Sequence, residues 1–378
     1  MLNLCFICEN STDIRLVEGL AGKFKLTILG RNFSDRHIVN HPSRMPVEII
    51  LGPNSRLKFV FFIWKYLRQH REQFDYVIVQ GYGLSALAAN LTSYFTNTST
   101  AMLVCSPTEA YYRCRKSNPT PSKVFRLHEL LGLQTIARIN ASIGRQYFVL
   151  SQYLFDTIRS HGTRKPISII PVYGVNTNIF VKPSESKLEI RRRRGLPTTG
   201  SLIFFSSRIA PEKDSETLLL AFQQLLQEGR DLWLLHRSGG YKTFIEEAKR
   251  YKVAERVIAT DAVHPERQLP LDYQACDLCV QSSREEGLGF SPLEALACGI
   301  PVVASAVGGL NETIVDGQTG WTYPVGDCNT LAMCIRDALD NPVKAAQYAS
   351  AGRDLVCTKY DRQVVFEKLY KDCSVNLL

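Results

Sequence analysis

Residues 286–294 read Glu286-Gly-Leu-Gly-Phe-Ser-Pro-Leu-Glu294 and lie between two apolar runs, 278–280 and 302–304. This order predicts a strand, a glycine-rich loop, a short helix and another strand. Ser291, Pro292 and Glu294 have the types and spacing of an N-cap, a first helical position and a capping box. A glycine loop that enters a helix N-terminus presents backbone N–H groups to an anion, most simply a phosphate. A capped helix of any α/β domain has the same pattern, so both interpretations stay open at this point.

Apolar runs of strand length alternate with longer helix-compatible segments on both sides of this motif. Such alternation predicts parallel sheets with helices on both faces. A polar run with two prolines, 182–200, separates the halves of the 378-residue chain, which is long enough for two domains. We predict an α/β fold of two Rossmann-like, doubly wound domains, 1–180 and 181–358, and a C-terminal helix at 359–378 that packs back on the first domain.

Eleven cysteines, an odd number scattered along the chain, favour free thiols in a reducing compartment. The pairs Cys5/Cys8 and Cys276/Cys279 lie in apolar runs without a neighbouring histidine, so we interpret them as small buried residues rather than metal ligands. The opening residues 1–8 predict a first strand and not a signal peptide. We therefore expect a cytoplasmic protein.

The charge of the chain is concentrated in its first half. Up to Lys182 there are 22 Lys and Arg against 10 Asp and Glu, whereas the remainder has 23 against 26. A basic half predicts an anionic partner; a phospholipid surface is one candidate and nucleic acid another, but no recognised nucleic-acid motif is present. The aromatic, basic segment 56–71 could dock on an anionic bilayer, but we interpret it by preference as an ordinary helix covering the sheet. For the basic, tyrosine-rich loop 111–126, binding of a lipid-linked or phosphorylated molecule and a plain surface loop remain equally open.

Several spaced motifs resemble the retaining group 1 glycosyltransferases (glycosyltransferase family 4). Glu286 and Glu294 have the family's E-x7-E spacing. The segment Ser206-Ser-Arg208-Ile-Ala-Pro-Glu-Lys213-Asp is similar to its Gly-Arg…Lys-Gly segment, 170–180 is similar to its hinge strand, and Gly308-Gly-Leu-Asn-Glu312 opens a similar turn. The resemblance covers about residues 165–330 and implies the GT-B fold, in which two Rossmann-like domains face each other across a cleft.

The resemblance also implies roles for individual residues. Arg208 and Lys213 would stabilise the charge that grows on the leaving diphosphate, and Glu286 would bind the donor sugar close to the reacting face. Glu294 would hold the ribose hydroxyls. The remaining donor-binding candidates are Gly287, Leu288, Gly289 and Phe290 in the loop and Val263 beside the nucleobase. The alternative for the charged residues is ion pairing, of Arg208 or Lys213 with Glu212 or Asp214 and of Glu286 with Arg284. We expect no metal and no other cofactor, because the sequence has no Asp-x-Asp signature.

The sequence departs from the family pattern at three places, two in the first half and one in a turn of the second domain. Residues 9–13, Glu-Asn-Ser-Thr-Asp, replace a Gly-Gly turn that approaches the phosphates, and His236-Arg237 replaces another glycine turn. The run 105–113 has no histidine where many relatives carry one near the acceptor. A retaining transfer needs no strong enzymic base, since the departing phosphate can take the proton. The acceptor-side candidates are Ser106, Thr108, Glu109 and Arg113.

We predict a retaining, metal-independent hexosyltransferase that moves a sugar from a nucleotide donor, UDP-linked by preference, to an acceptor hydroxyl. The acceptor would be a glycan or a lipid-linked molecule of envelope polysaccharide, exopolysaccharide or glycolipid synthesis, with peripheral contact to an anionic membrane. The alternatives are a GT-B-like sugar-nucleotide epimerase and a non-catalytic protein that binds sugar nucleotides. Incubation of the donor sugar nucleotide without an acceptor would yield an epimer only if the protein is an epimerase.

Overall fold

The computed structural model describes residues 1–10, 12–32, 47–117 and 127–375. By its packing the chain divides into two compact units. The first is formed within Met1–Glu109, Val124–Gly174 and Arg362–Leu378, and the second within Ala110–Lys123 and Val175–Asp361. The C-terminal helix therefore lies in the first unit.

The first unit is a parallel sheet with helices between its strands. Leu4 of the first strand, an interior strand of the sheet, pairs with Leu26 on one side and with Tyr76 on the other, and residues 4–8 are buried. A strand that is buried on both faces reads as a continuous apolar run, which is why its position is visible in the sequence. Its elements in chain order are β1 (Asn3–Asn10), α1 (Ile14–Ala21), β2 (Lys25–Asn32), β3 (Val47–Leu51), α2 (Arg56–Gln69), β4 (Tyr76–Gln80), α3 (Leu84–Thr96), β5 (Ser99–Val104), α4 (Thr108–Ser117, shared with the second unit), α5 (Leu127–Ile143), β6 (Gln146–Val149), α6 (Gln152–Ser160), β7 (Ile167–Ile169) and, at the end of the chain, α15 (Arg362–Val375), and the strand order is β3-β2-β1-β4-β5-β6-β7.

The second unit repeats this plan with the strand order β10-β9-β8-β11-β12-β13, again parallel. Its core is built from strand and helix residues that are wholly buried, among them Phe205, Phe222 and Leu234. Its elements are α7 (Lys187–Arg194), β8 (Ser201–Phe205), a 3-10 turn (Pro211–Lys213), α8 (Ser215–Gln227), β9 (Leu232–Arg237), α9 (Tyr241–Arg250), a second 3-10 turn (Ala254–Arg256), β10 (Val257–Thr260), α10 (Leu269–Ala275), β11 (Leu278–Gln281), α11 (Phe290–Ala297), β12 (Val302–Ser305), α12 (Leu310–Thr313), β13 (Trp321–Tyr323), α13 (Cys328–Asp340), α14 (Pro342–Leu355) and a π-helical turn (Val356–Tyr360).

The helix start predicted from the opening motif is wrong. Helix α11 begins at Phe290, its N-cap is Gly289 with φ of 89°, and no side chain caps it. Ser291 Oγ donates instead to the carbonyl oxygen of Ser206, and Glu294 accepts a hydrogen bond from the Tyr273 hydroxyl at 2.9 Å. The two side chains bind tertiary partners, which a local capping pattern does not reveal, and so the capping box does not form.

The cysteine pairs of both units belong to the core. Cys5, Cys8, Cys276 and Cys279 are buried free thiols. Burial raises the pKa of the Cys8 thiol to about 12. A thiol with so high a pKa is neutral at physiological pH and packs as a small apolar side chain.

Candidate functional site

Most of the predicted donor residues lie at one edge of the second sheet. Because its strands are parallel, the loops after β8, β10, β11 and β12 all leave at the same edge. Arg208 and Lys213 follow β8, Glu286 follows β11, and Val263 follows β10. The fold therefore brings together side chains that are far apart in the sequence, at the edge where ligands of open parallel sheets bind.

Lys213 and Glu286 form an ion pair in which the lysine Nζ donates to Glu286 Oε2. The side chains are only 11% and 10% exposed. Lys213 ends the turn Pro211–Lys213, and the next residue, Asp214, has φ of 47°. This sharp turn aims the lysine at Glu286 instead of at Glu212 or Asp214, which were its predicted alternative partners.

Glu212 is a buried carboxylate held by arginines. Its side chain is fully buried, and Arg115 binds both of its oxygens, with Nε at 3.0 Å and Nη2 at 2.5 Å. Arg208 lies 3.8 Å from the same carboxylate, and its side chain is 66% exposed. Burial by itself would raise the pKa of Glu212, but the Arg115 guanidinium holds it below its ordinary value. Glu212 is therefore ionised, and the ion pair expected as the alternative for Arg208 does form, although Arg208 stays mostly exposed.

Helix α4 supplies two residues that the sequence interpretation did not assign to the donor site. Tyr111 receives a hydrogen bond from the backbone N–H of Gly287, and burial together with Glu286 and Glu212 raises the pKa of its phenol. The Arg115 guanidinium lies 5.8 Å from the centre of the Tyr111 ring. Both residues fall in the predicted loop 111–126, whose first seven residues are helical and whose remainder, 118–126, lies outside the described residues. The i, i+4 spacing of tyrosine and arginine was the available signal.

The loop 286–289 is packed tightly against the turn that follows β12. The Gly309 N–H donates to the Glu286 carbonyl oxygen at 3.0 Å. A Cβ atom on Gly309 would lie 2.2 Å from the carbonyl oxygen of Gly287 and 2.7 Å from Leu288 Cα. One on Gly289 would lie 2.4 Å from Leu310 Cδ2. The two glycine motifs of the sequence are therefore one structural feature, because the second lets the backbone approach the first.

Glu294 lies in the middle of α11, and its side chain is buried inside the unit. It is 3% exposed, and its Oε2 accepts the hydroxyl hydrogen of Tyr273, whose ring packs edge-on against Phe204 with centroids 4.8 Å apart. Burial and the neighbouring Glu294 carboxylate raise the pKa of the Tyr273 phenol well above its ordinary value. The phenol therefore remains a donor and fixes the orientation of the carboxylate.

The remaining residues of the predicted donor set occupy the loops around this centre. Gly287, Leu288 and Gly289 are buried, Phe290 and Val263 are half-buried, and Thr260 at the end of β10 accepts a hydrogen bond from Arg237 at 2.5 Å. Arg284, considered above as a partner of Glu286, binds Asp214 instead, at 2.8 Å. Its backbone N–H donates to the carbonyl oxygen of Glu212 at 2.9 Å, so Glu212 also anchors the loop that leads to Glu286.

His236, at the end of β9, belongs to the interior of the second unit. Its Nδ1 lies 2.9 Å from the Phe205 carbonyl oxygen, and its buried Nε2 has no hydrogen-bond partner within the described part of the chain. Burial lowers the pKa of its imidazole to about 4. His236 is therefore neutral, and its ring packs in the interior of the second unit.

The acceptor-side candidates differ in their exposure to solvent. Glu109 is buried, accepts a hydrogen bond from the Tyr82 hydroxyl and lies 3.2 Å from His161 Nε2. Burial would raise the pKa of Glu109, but His161 and Tyr82 hold it below its ordinary value. Ser106 is half-buried, whereas Thr108 and Arg113 are exposed. A histidine thus lies beside this segment after all, but it comes from the end of α6, 52 residues later in the chain than Glu109.

Residues 186–355 match the sequence model of a family described as "Glycosyl transferases group 1". The GDP-mannose-dependent alpha-(1-6)-phosphatidylinositol monomannoside mannosyltransferase of Mycolicibacterium smegmatis is 33% identical over 48% of this chain and 49% of its own length. The D-inositol 3-phosphate glycosyltransferase of Xylanimonas cellulosilytica is 34% identical over 44% of this chain and 41% of its own length. The chain thus aligns with about half the length of these curated relatives.

A solved structure extends the likeness to nearly all of the chain. HepE of Anabaena, crystallised with UDP and glucose, has a TM-score of 0.81 at 17% identity, covering 99% of this chain and 100% of that one. At this identity the likeness concerns the fold, two Rossmann-like α/β units of the GT-B class, which confirms the predicted fold class.

Proposed function

We propose that the chain transfers a sugar from a nucleotide-sugar donor to a hydroxyl group of a lipid or glycan acceptor, since residues 186–355 match the sequence model of the group 1 glycosyl transferases. The observation that carries the proposal is that Lys213 pairs with Glu286 and Arg208 lies 3.8 Å from Glu212, in loops that leave the carboxyl edge of the second sheet. Within this group Arg208 is exposed enough to receive a ligand.

The proposed role of the cations is to neutralise the leaving diphosphate. Negative charge grows on the β-phosphate as the bond to the sugar breaks, and oriented cations stabilise such charge best where water is excluded. The Lys213 side chain is only 11% exposed, and its Nζ is already directed by Glu286. Arg115, Arg208 and Lys213 outnumber the carboxylates of Glu212 and Glu286 by one, so this group carries one net positive charge that would attract an anionic diphosphate.

Glu286 and Glu294 are proposed to hold the sugar and the ribose respectively. The Tyr273 hydroxyl occupies Glu294 Oε2 at 2.9 Å, which sets the direction of a carboxylate that can accept further hydrogen bonds. The backbone N–H groups of Leu288 and Gly289, at the start of α11, would add donors to a phosphate. Each group in this arrangement would act by binding and orienting the donor.

The sequence interpretation and the name of a curated relative point to different nucleobases in the donor. The sequence interpretation prefers a UDP-sugar, whereas the name of the M. smegmatis relative specifies GDP-mannose. We propose GDP-mannose as the first donor to test and UDP-sugars as the second, with the loop around Val263 beside the base. Acceptor contacts are proposed for Ser106, Thr108, Glu109 and Arg113.

We further propose retention of the anomeric configuration without a metal ion. The departing phosphate can accept the proton of the acceptor hydroxyl, so this route asks no strong base of the protein. Lys213 and Arg208 supply the positive charge that a divalent cation would otherwise provide. Activity that is unchanged in EDTA and a product with the donor's anomeric configuration by NMR are the expected results.

A thermal-shift panel tests donor binding directly, since a ligand that binds only the folded state raises its melting temperature. GDP-mannose, UDP-glucose and free GDP and UDP would be compared on the wild type, Arg208→Ala and Lys213→Ala. Lys249→Ala is the control, because Lys249 is 60% exposed on α9 and pairs with Glu246 on the same helix. We expect a shift for the wild type and the control and a smaller one for the two site variants; no shift with any nucleotide would contradict the proposal.

A further inference from the structure

Helix α2 carries apolar side chains on its exposed side as well as on the side that faces the sheet. Phe59, Ile63 and Leu67 are buried and cover the sheet. Leu57 and Phe61, one turn apart on the other side, are 74% and 62% exposed. An ordinary helix covering the sheet therefore accounts for the buried side chains of α2 but does not account for the exposed apolar ones.

Helix α3 packs directly against α2 and exposes further apolar side chains. Leu91, Tyr94 and Phe95 are 43%, 74% and 78% exposed. No residue of Leu84–Thr96 is charged. We call the exposed residues 57, 58, 61, 65 and 68 of α2 together with 91, 94 and 95 of α3 the α2–α3 face.

The charge on this face has one sign. Helix α2 contains Arg56, Lys58, Lys65 and Arg68 and no acidic residue, and Arg56 is engaged by Glu9 at 2.8 Å. Lys58, Lys65 and Arg68 are exposed. The Arg68 guanidinium lies 5.5 Å from the Trp64 ring, which in turn lies 5.4 Å from the Phe61 ring. Cations and aromatic rings are therefore interleaved along one helix surface.

We propose that the α2–α3 face docks the first unit on an anionic lipid bilayer. Aromatic and aliphatic side chains would enter the interface between headgroups and acyl chains, while lysine and arginine would meet the lipid phosphates. A protein partner fits less well, because the centres of protein interfaces are depleted in lysine. Among the described helices none is long and apolar enough to cross a membrane, and docking of this kind needs none.

The inference goes beyond the proposed transfer reaction and does not depend on it. Vesicle flotation at 0.1 M salt would use neutral phosphatidylcholine vesicles and vesicles with about one-third phosphatidylserine. We expect binding to the anionic vesicles only, and weaker binding at 0.5 M salt because ions screen surface charge. Each cation lost should lower the partition coefficient about fivefold, so Lys58→Gln, Lys65→Gln and Arg68→Gln together should lower it about a hundredfold.

Matched variants separate this face from general effects of charge and exposure. The triple variant Lys242→Gln, Lys249→Gln, Arg250→Gln removes three exposed cations from α9 and should bind vesicles like the wild type. Phe61→Ser should weaken binding about tenfold or more, whereas Val343→Ser, at a side chain that is 73% exposed on α14, should not. Equal losses in both triple variants would overturn the proposal.

Two further outcomes would also overturn it. One is equal binding to neutral and anionic vesicles. The other is sedimentation of the protein as a dimer that Phe61→Ser dissociates, which would identify the face as an interface between copies. Nucleotide-induced thermal shifts, measured on the same variants, report the donor site separately, so failure of docking and failure of the transfer proposal remain distinguishable.

Discussion

Replacing Arg115 with leucine should destabilise the second unit, because Glu212 would keep its charge in a fully buried position. Removing one partner of a buried pair costs about 3–5 kcal/mol when both partners are buried. The Arg115 side chain is 42% exposed, so water takes up part of the loss, and the lower figure for a charged group left without its partner, about 2 kcal/mol, applies. For a unit of this size that corresponds to a fall in melting temperature of about 4–8 °C.

The matched control is Arg230→Leu. Arg230 also binds a carboxylate through two hydrogen bonds, to Asp340 at 2.9 and 2.5 Å, but the carboxylate side chain is 50% exposed. An exposed pair of this kind contributes at most about 1 kcal/mol. Scanning calorimetry measures the melting temperatures of Arg115→Leu, of Arg230→Leu and of the double variant that combines Arg115→Leu with Glu212→Gln. The double variant should recover part of the loss, since no buried charge remains.

Arg115→Leu should also weaken donor binding. The carbonyl oxygen of Glu212 anchors the backbone of Arg284, two residues before Glu286. If Arg115→Leu and Arg230→Leu have the same melting temperature, the reasoning about the buried carboxylate is refuted. A large thermal effect with unchanged nucleotide affinity would leave Arg115 a purely structural residue.

Gly309→Ala would place a Cβ 2.2 Å from the Gly287 carbonyl oxygen, so it should cost about 1–3 kcal/mol in a thermal melt; Gly239→Ala, with no atom within 4 Å of the added Cβ, is the control, and equal melting of the two would refute the close packing. Burial lowers the pKa of His236 from 6.5 to about 4, so the unfolded chain binds the proton more tightly and stability should fall by about 3 kcal/mol between pH 6.5 and pH 4. Urea titrations at several pH values should show that His236→Gln flattens this dependence, and an equally steep dependence in the variant would speak against it. Tyr273→Phe removes the hydroxyl that binds Glu294 at 2.9 Å, so the donor should bind about fivefold more weakly by calorimetric titration; unchanged affinity would argue against Glu294 as a donor ligand.

The strands of both sheets were visible in the sequence because strands buried on both faces are continuous apolar runs. The predicted first strand at 1–8 corresponds to β1 and the run 278–280 to β11, and residues 4–8 and 278–280 are buried. Helix ends were harder to predict, and the capping box at Ser291 shows the reason. Local capping and tertiary hydrogen bonding compete for the same side chains, and only the folded chain decides between them.

The site was predictable where its residues come from one half of the sequence and share a motif. Lys213 and Glu286 were named from the sequence, and their ion pair is a consequence of the parallel sheet. Arg115 was missed because it reaches Glu212 from a segment 97 residues earlier. His161 was missed for the same reason, since a histidine was sought near Glu109 in the sequence and lies near it only in the fold.

Calorimetric titration of GDP and UDP into the wild type, Arg208→Ala, Lys213→Ala and the control Lys249→Ala tests the central claim that the edge of the second sheet binds a nucleoside diphosphate. A hydrogen bond to a charged group contributes about 1.5–3 kcal/mol, so each site variant should bind the preferred nucleotide about 10- to 150-fold more weakly, with the control unchanged. Nucleotide binding that is equally tight in all four proteins would place the diphosphate elsewhere and contradict the assignment.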